Sequence, residues 1–329
     1  SVWIASPSGG TVARIRPGGR RVDTIDVAGR PAALAFGGGS LWAADADSGD
    51  VAQIDPRPNR VVQRVRLGNG LRALAVAHGA LWGAAGLDGE VVRFDLRTGR
   101  SLRRTPVGGE PTALAAAPDA VWVTAENGRL LRLDRATGLV TGAVRVGSGP
   151  GAVQASGGAV WVANTQDGTV SRVEAATQRV TWTVPADGRP SSLTLAGGGL
   201  WVGDETGALL RLDPRTGRRT DRIGVRSPPT AVAAVGGDEV WAIAAPPATV
   251  HRGGTLRIVQ NAQEVDPALA DIDYATAGLL FDGLVRFRRA PGAAGATLVP
   301  ALAVAVPEPD EGGRRYAFAL RAGLRYADG

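Results

Sequence analysis

The chain of 329 residues contains no Cys, no Met and no Lys, and only two His. Without Cys there are no disulfides and no thiolate metal ligands, so buried apolar surface must hold the fold together. Two His leave no His-rich metal centre and few groups for proton transfer near neutral pH. Long apolar runs are missing too: no stretch approaches the eighteen or so apolar residues of a membrane span. Residues 1–248 show no apolar period of 3.6, which excludes a helical solenoid.

Because Lys is absent, all 37 basic residues are Arg, against 31 acids, for a formal charge of +6. Residues 1–248 hold 28 Arg and 22 acids, and residues 249–329 hold nine of each. The excess is spread along the first region without a run of like charges. A nucleic-acid binder gathers its charge into a stripe or patch, so nucleic acid is not an expected partner.

What is present in quantity is Gly, with 47 residues, and a regular series of Trp. Trp3, Trp42, Trp82, Trp122, Trp161, Trp201 and Trp241 are separated by 39, 40, 40, 39, 40 and 40 residues. Only Trp182 falls outside the series. A period near forty is the length of a four-stranded propeller blade. One unit reads Pro111-Thr-Ala-Leu-Ala-Ala-Ala, then Ala120-Val-Trp-Val-Thr-Ala, Leu130-Leu-Arg-Leu-Asp and Leu139-Val-Thr-Gly-Ala-Val-Arg-Val-Gly. Asn-Gly and Thr-Gly turns between these runs tolerate the positive φ of tight hairpins, which makes the unit a β-meander.

The expectation is an all-β seven-bladed propeller of four-stranded blades over residues 1–248. It counts 25 strands against the 28 of seven full blades. A stretch of about twenty residues upstream, half a period, together with Ala248–Arg252, is expected to supply the rest. The in-register Trp is expected to wedge between neighbouring blades. Arg14, Arg93, Arg132, Arg172 and Arg211 share one strand position, with Gln53 in the departing unit; pairing with turn carboxylates such as Asp95 and Asp134 is favoured over an anion-binding ring.

Ala159-Val-Trp-Val-Ala-Asn, Asp167-Gly-Thr-Val-Ser-Arg-Val and Asp213-Pro-Arg-Thr-Gly-Arg resemble the YVTN-type and virginiamycin B lyase-like propellers of bacteria. The resemblance covers residues 1–245 and implies a fold more firmly than a function. The lyase resemblance implies a catalytic His and a bound magnesium. His78 lies in an Ala-His-Gly turn and His251 beyond the last clear blade, neither beside a second ligand. Asp45, Asp47, Asp88, Asp167, Asp204 and Glu205 are candidate magnesium ligands, but hairpin turns select Asp in any case. No cofactor and no catalytic residue is expected.

After Pro246-Pro247 the Trp period ends. Gly253-Gly-Thr-Leu-Arg, Asp266-Pro-Ala, Phe281-Asp-Gly-Leu-Val, Leu298-Val-Pro-Ala-Leu-Ala and Tyr316-Ala-Phe-Ala-Leu-Arg resemble, in order, the N-terminal part of family 5 extracellular solute-binding proteins. Ala277, Leu280, Phe281 and Leu284 have helical spacing, with Gly283 as terminator. The resemblance implies that residues 249–329 open a truncated α/β solute-binding lobe. It implies peptide contacts at Asn261, Gln263, Glu264 and Val265, with Glu264 receiving a ligand amine. An ABC permease would be a partner, and the location would be extracytoplasmic. The expected function is peptide or small-solute binding linked to transport or sensing. A propeller lyase or hydrolase is the alternative, or a pure protein–protein interaction platform with a partner on one propeller face.

Overall fold

The computed structural model describes residues 1–16, 22–225, 227–235, 239–244, 255–259, 285–287, 298–300, 303–307 and 315–319. The chain divides into two units, Ser1–Pro247 and Ala248–Gly329.

In the first unit every sheet is an antiparallel meander whose strands, here a to d, run outward in chain order. The sheet of residues 111–145 shows the plan: Pro111–Ala116, Ala120–Ala125, Arg129–Asp134 and Val140–Arg145. Four further four-stranded sheets span residues 31–66, 71–106, 150–185 and 190–224. Residues 2–26 form a three-stranded sheet that begins at its Trp strand, strand b. The last element is the hairpin of Pro229–Val235 with Glu239–Ala244.

The innermost strands of successive sheets pack side by side from Pro31–Gly37 through to Pro229–Val235. Pro31, Pro111, Pro150, Pro190 and Pro229 each open strand a, where a missing N–H is tolerated. Each is followed by a bulge before residue +2, so the inner strand bends at the same place in these five sheets.

This architecture corrects the expectation of seven blades. The described residues make an all-β propeller of six blades, five of them four-stranded and the first three-stranded, followed by a lone hairpin two strands short of a blade. The Trp series counts strands b, and the hairpin of Trp241 carries one without its outer strands. Ala248–Arg252, expected to extend it, lie outside the described residues.

The α/β lobe is corrected as well. In the second unit Thr255–Val259 pairs with Arg315–Ala319, and Val285–Phe287 with Leu298–Pro300. No helix occurs among the described residues. The helix expected over 277–284 lies outside them.

The Trp wedge is present in the first five sheets. Trp42 shares a buried cluster with Leu71, Leu74, Leu81 and Phe94 of the next sheet, and Trp161 with Leu193, Val202 and Leu210. Trp82 meets Val121, Val123 and Leu131, Trp122 meets Val160 and Val173, and Trp3 packs against the cluster of Leu41 and Ile54. Each cluster thus joins one blade to its successor. Strands b at Ala80–Ala85, Ala120–Ala125 and Ala159–Asn164 are buried along their whole length, while the outer strand Arg219–Gly224 is exposed throughout. Burial therefore falls from the sheet interior to the rim.

Candidate functional site

A meander places its a–b and c–d turns at one end of the sheets and its b–c turns and d–a connections at the other. Each end becomes a face, and the two differ in chemistry.

The c–d turns repeat Asp-x-x-Thr-Gly. Oδ1 of Asp134 accepts the backbone N–H of Ala136 at 3.1 Å and of Thr137 at 2.7 Å, and the Thr137 hydroxyl at 2.8 Å. Asp213 receives Arg215, Thr216 and the Thr216 hydroxyl in the same way, and Asp95 receives Arg97 and Thr98. Hydrogen bonds from the turn threonines hold Asp95, Asp134 and Asp213 below the ordinary carboxylate range. Gly138 closes one turn at φ 74°, and a Cβ there would lie 3.3 Å from Arg103 and 3.7 Å from Trp82 of the preceding sheet. The turn of Gly138 therefore caps its neighbour's wedge, and in each of these turns one oxygen of the carboxylate is engaged by the turn itself.

The arginines between and after these carboxylates make no guanidinium bond to them, although the charges of Arg97 and Arg215 help lower the pKa of Asp95 and Asp213. Arg57, Arg60, Arg97, Arg100, Arg179 and Arg215 are exposed and make no salt bridge among the described residues. The remaining acids of this face are occupied: Asp119 accepts Arg132 Nη2 at 2.8 Å, which lowers its pKa, and Glu174 accepts Arg172 Nη2 at 3.2 Å. The c–d face is thus basic.

The recurrent strand-c arginines sit beneath it, directly across from the Trp of strand b. Arg14, Arg93 and Arg211 stack on Trp3, Trp82 and Trp201 at 4.9, 5.6 and 5.6 Å from the ring centres. Arg14 also donates to the Pro56 carbonyl, and Arg211 to the Gly197 carbonyl at 2.6 Å. Arg14 thereby reaches the next sheet, whereas the other four find partners within their own, and the pairing with Asp95 and Asp134 expected from sequence does not form. The partners of these arginines are aromatic faces, turn carbonyls and, for Arg132 and Arg172, Asp119 and Glu174. Asp95 and Asp134 bond their own turns instead.

A cleft of about 400 Å³ opens on the same face between the fifth and sixth sheets. Trp161, Arg172, Leu195, Pro214 and Arg215 line it, with glycines of two a–b turns. Gly157 and Gly198, both at positive φ, have no atom near where a Cβ would stand, so these glycine turns leave the space open. Trp182, the one Trp outside the series, supports the far wall: its Nε1 donates to the Arg215 carbonyl at 2.8 Å, and its ring lies against Gly217.

The opposite face carries most of the ion pairs, although Arg129 and Arg145 there are exposed and make none among the described residues. Arg30 bonds Asp47 at 3.1 Å, Arg72 bonds Glu110 at 2.5 Å and Arg189 bonds Glu205 at 3.0 Å. The six candidate magnesium ligands all lie here, distributed over four sheets. Burial would raise the pKa of Asp45, but bonds from Ser48, Asp47 and Arg30 outweigh it and leave the pKa lowered. Asp88 receives Asn69 at 2.8 Å from both its backbone and side-chain N–H, and Asp167 receives the Ser148 N–H at 2.7 Å. Asp204 is fully buried and accepts Thr206, with its second oxygen unpartnered. Among the described residues no group of three His, Cys, Asp or Glu could hold a metal ion.

His78 is an exposed turn residue at φ 54°, its Nε2 2.9 Å from the Ala117 carbonyl. His251 and the expected solute contacts Asn261, Gln263, Glu264 and Val265 lie outside the described residues. The unpaired arginines were the feature missed from sequence. They are dispersed along the chain, and only the meander geometry collects them; their recurrence after each turn Asp was the available signal.

Radial four-stranded meanders joined by Trp wedges, with turn chemistry on two faces, define a β-propeller. The family model described as outer membrane protein assembly factor BamB matches residues 2–144 and 143–280, and the chain belongs to that family. The match runs past residue 248, where a solute-binding lobe was expected to begin, and nothing relates the second unit to solute-binding proteins. No curated protein matches the chain. Hydrazine synthase of Kuenenia stuttgartiensis is similar at 15% identity and TM-score 0.63, over 74% of this chain and 92% of that one. The computationally designed Ika8 protein is similar at 20% identity and TM-score 0.55, over 71% and 81%. At such identities the likeness is one of fold.

Proposed function

We propose that the protein is a protein-interaction platform acting outside the cytoplasm, the propeller presenting one of its turn faces to a protein partner. One observation carries this reading: the c–d face gathers exposed arginines without salt bridges, while the carboxylates beside them are used inside turns or ion pairs. Charges left free on one face of a rigid scaffold steer and orient an association more than they promote bond chemistry. The family's description as an assembly factor agrees with a protein partner, and its mention of the outer membrane with the location.

Solute capture by the second unit is set aside, because the family match supports the interaction alternative over it. Cross-linking of the full chain to proteins of the cell envelope, read by mass spectrometry, tests the platform. Cross-links concentrated on turns of one face are expected. Turnover of a substrate panel that is lost on chelation would replace the platform with an enzyme. Cell fractionation tests the location, and a purely cytoplasmic protein would refute it.

A further inference from the structure

We propose that the c–d face docks an acidic protein segment, with one of its carboxylates seated in the cleft beside Trp161; this rests on the interaction-platform reading and names the partner's chemistry. Arg57, Arg97 and Arg215 occupy the same position in the turns of the second, third and sixth sheets, two residues after the turn Asp, and all are exposed. The turn carboxylates next to them accept backbone N–H groups of their own turn, so they do not take the guanidinium bonds. A ligand carboxylate thus meets donors that gain a partner without breaking an existing pair. On the opposite face Arg30, Arg72 and Arg189 are each already bonded to a carboxylate, and the same ligand would have to displace it; Arg129 and Arg145 there make no salt bridge among the described residues and are the matched control.

The cleft adds selectivity to this charge. Its size suits a side chain or chain terminus rather than an extended polymer. Its wall combines the Arg215 guanidinium with apolar Leu195 and Pro214 and the edge of Trp161. Arg215 is exposed and makes no salt bridge among the described residues, whereas Arg172 at the cleft is shared with Glu174 and Thr181 at 3.2 and 2.9 Å. Arg215 is therefore the donor open to the ligand. A nucleic acid would find charge here but no row of stacking rings. Trp161 is 5% exposed, with its N–H bonded to the Pro214 carbonyl at 3.1 Å, no aromatic side chain lies in the described c–d turns, and the exposed ring of Phe36 stands at the a–b turn of the second sheet, away from the cleft between the fifth and sixth.

The test uses the full chain and fluorescein-labelled peptides of about twelve residues with alternating Glu and Ser, read by fluorescence anisotropy. One peptide ends in an amide and one in a free carboxylate, which separates side-chain from terminal recognition. A Gln-for-Glu peptide and a short DNA duplex complete the set. The acidic peptides are expected to bind, and to lose roughly tenfold in affinity between low and moderately high salt, because exposed charges are screened within a Debye length of about 10 Å. Two variants of equal net charge locate the surface. R97Q/R215Q is expected to weaken binding at least fivefold, and R129Q/R145Q on the opposite face less than twofold, with melting temperatures confirming that both fold.

Equal losses in the two variants, tighter binding of the duplex than of the peptides, or no peptide binding would each overturn the proposal. Cross-links gathered on the opposite face, with no acidic peptide bound, would retain the platform while removing this partner class. Chelator-sensitive turnover would remove the platform itself.

Discussion

Trp122 is fully buried and spans two sheets, meeting Leu130 and Val144 of its own and Val160, Val162 and Val173 of the next. Trp122→Ala is expected to cost about 3–5 kcal/mol, since the site loses apolar burial and the two sheets cannot collapse into the void. Chemical denaturation checks it. Gly138 is constrained in another way, by φ 74° and by neighbouring side chains. Gly138→Ala is expected to destabilise by more than about 1 kcal/mol, whereas Gly99→Ala, where a Cβ has open space, should show only the smaller backbone penalty. The turn carboxylates link stability to pH. Asp95, Asp134 and Asp213 have depressed folded-state pKa values, so their contribution is full above the unfolded value of about 3.9 and is lost as pH falls through the folded values. Melting temperature should therefore drop on acidification below about pH 4, and less so in Asp134→Asn, whose side-chain oxygen still accepts the turn N–H groups without titrating.

At the scale of the element, the meander was legible in the sequence because its signals are local. Thr-Gly and Asn-Gly turns, alternating runs and a Trp every forty residues each act within one hairpin or between adjacent sheets. The count of complete blades was not legible, because Trp241 marks a strand b whether or not strands c and d follow. The partners of the strand-c arginines also escaped, since Arg93 meets Trp82 through cross-strand register while Asp95 is turned into its own loop. Five short landmarks after residue 253 suggested a solute-binding lobe, yet each spans only a few residues, and none is supported by the described strands or the family match. The end of strand b offers a test of element chemistry. Asp204 is buried with an unpartnered oxygen, whereas Asn164 at the equivalent end of the preceding sheet bonds Gly147, Thr169 and Ser171. Asp204→Asn is expected to raise the melting temperature, because an amide like that of Asn164 can donate where the Asp204 oxygen has no partner, while its oxygen still accepts from Thr206.

For the first unit as a whole, stability rests on contacts between successive sheets, and the sheets differ in how many neighbours they have. The strands b of the third to fifth sheets are buried along their length, while Glu239–Ala244 of the final hairpin is only partly covered. Amide hydrogen exchange should be slowest in the former and fastest in the hairpin and in the outer strand Arg219–Gly224. Net charge is misleading at this scale. A value of +6 describes neither face, since one carries most of the ion pairs, with Arg129 and Arg145 left outside them, and the other leaves more of its arginines open. Sequence reading dismissed a basic patch because no run of Arg occurs, and the patch arises only when the c–d turns are brought to one end of the ring.

The wedge has a consequence for how such a chain can change its length. Each forty-residue segment from the second to the fifth sheet carries both the indole that enters the following sheet and the aliphatic slot that receives the indole before it. A duplicated segment would arrive with matched ends, like a link already fitted to the chain on both sides, so copies can be gained or lost without redesigning their neighbours.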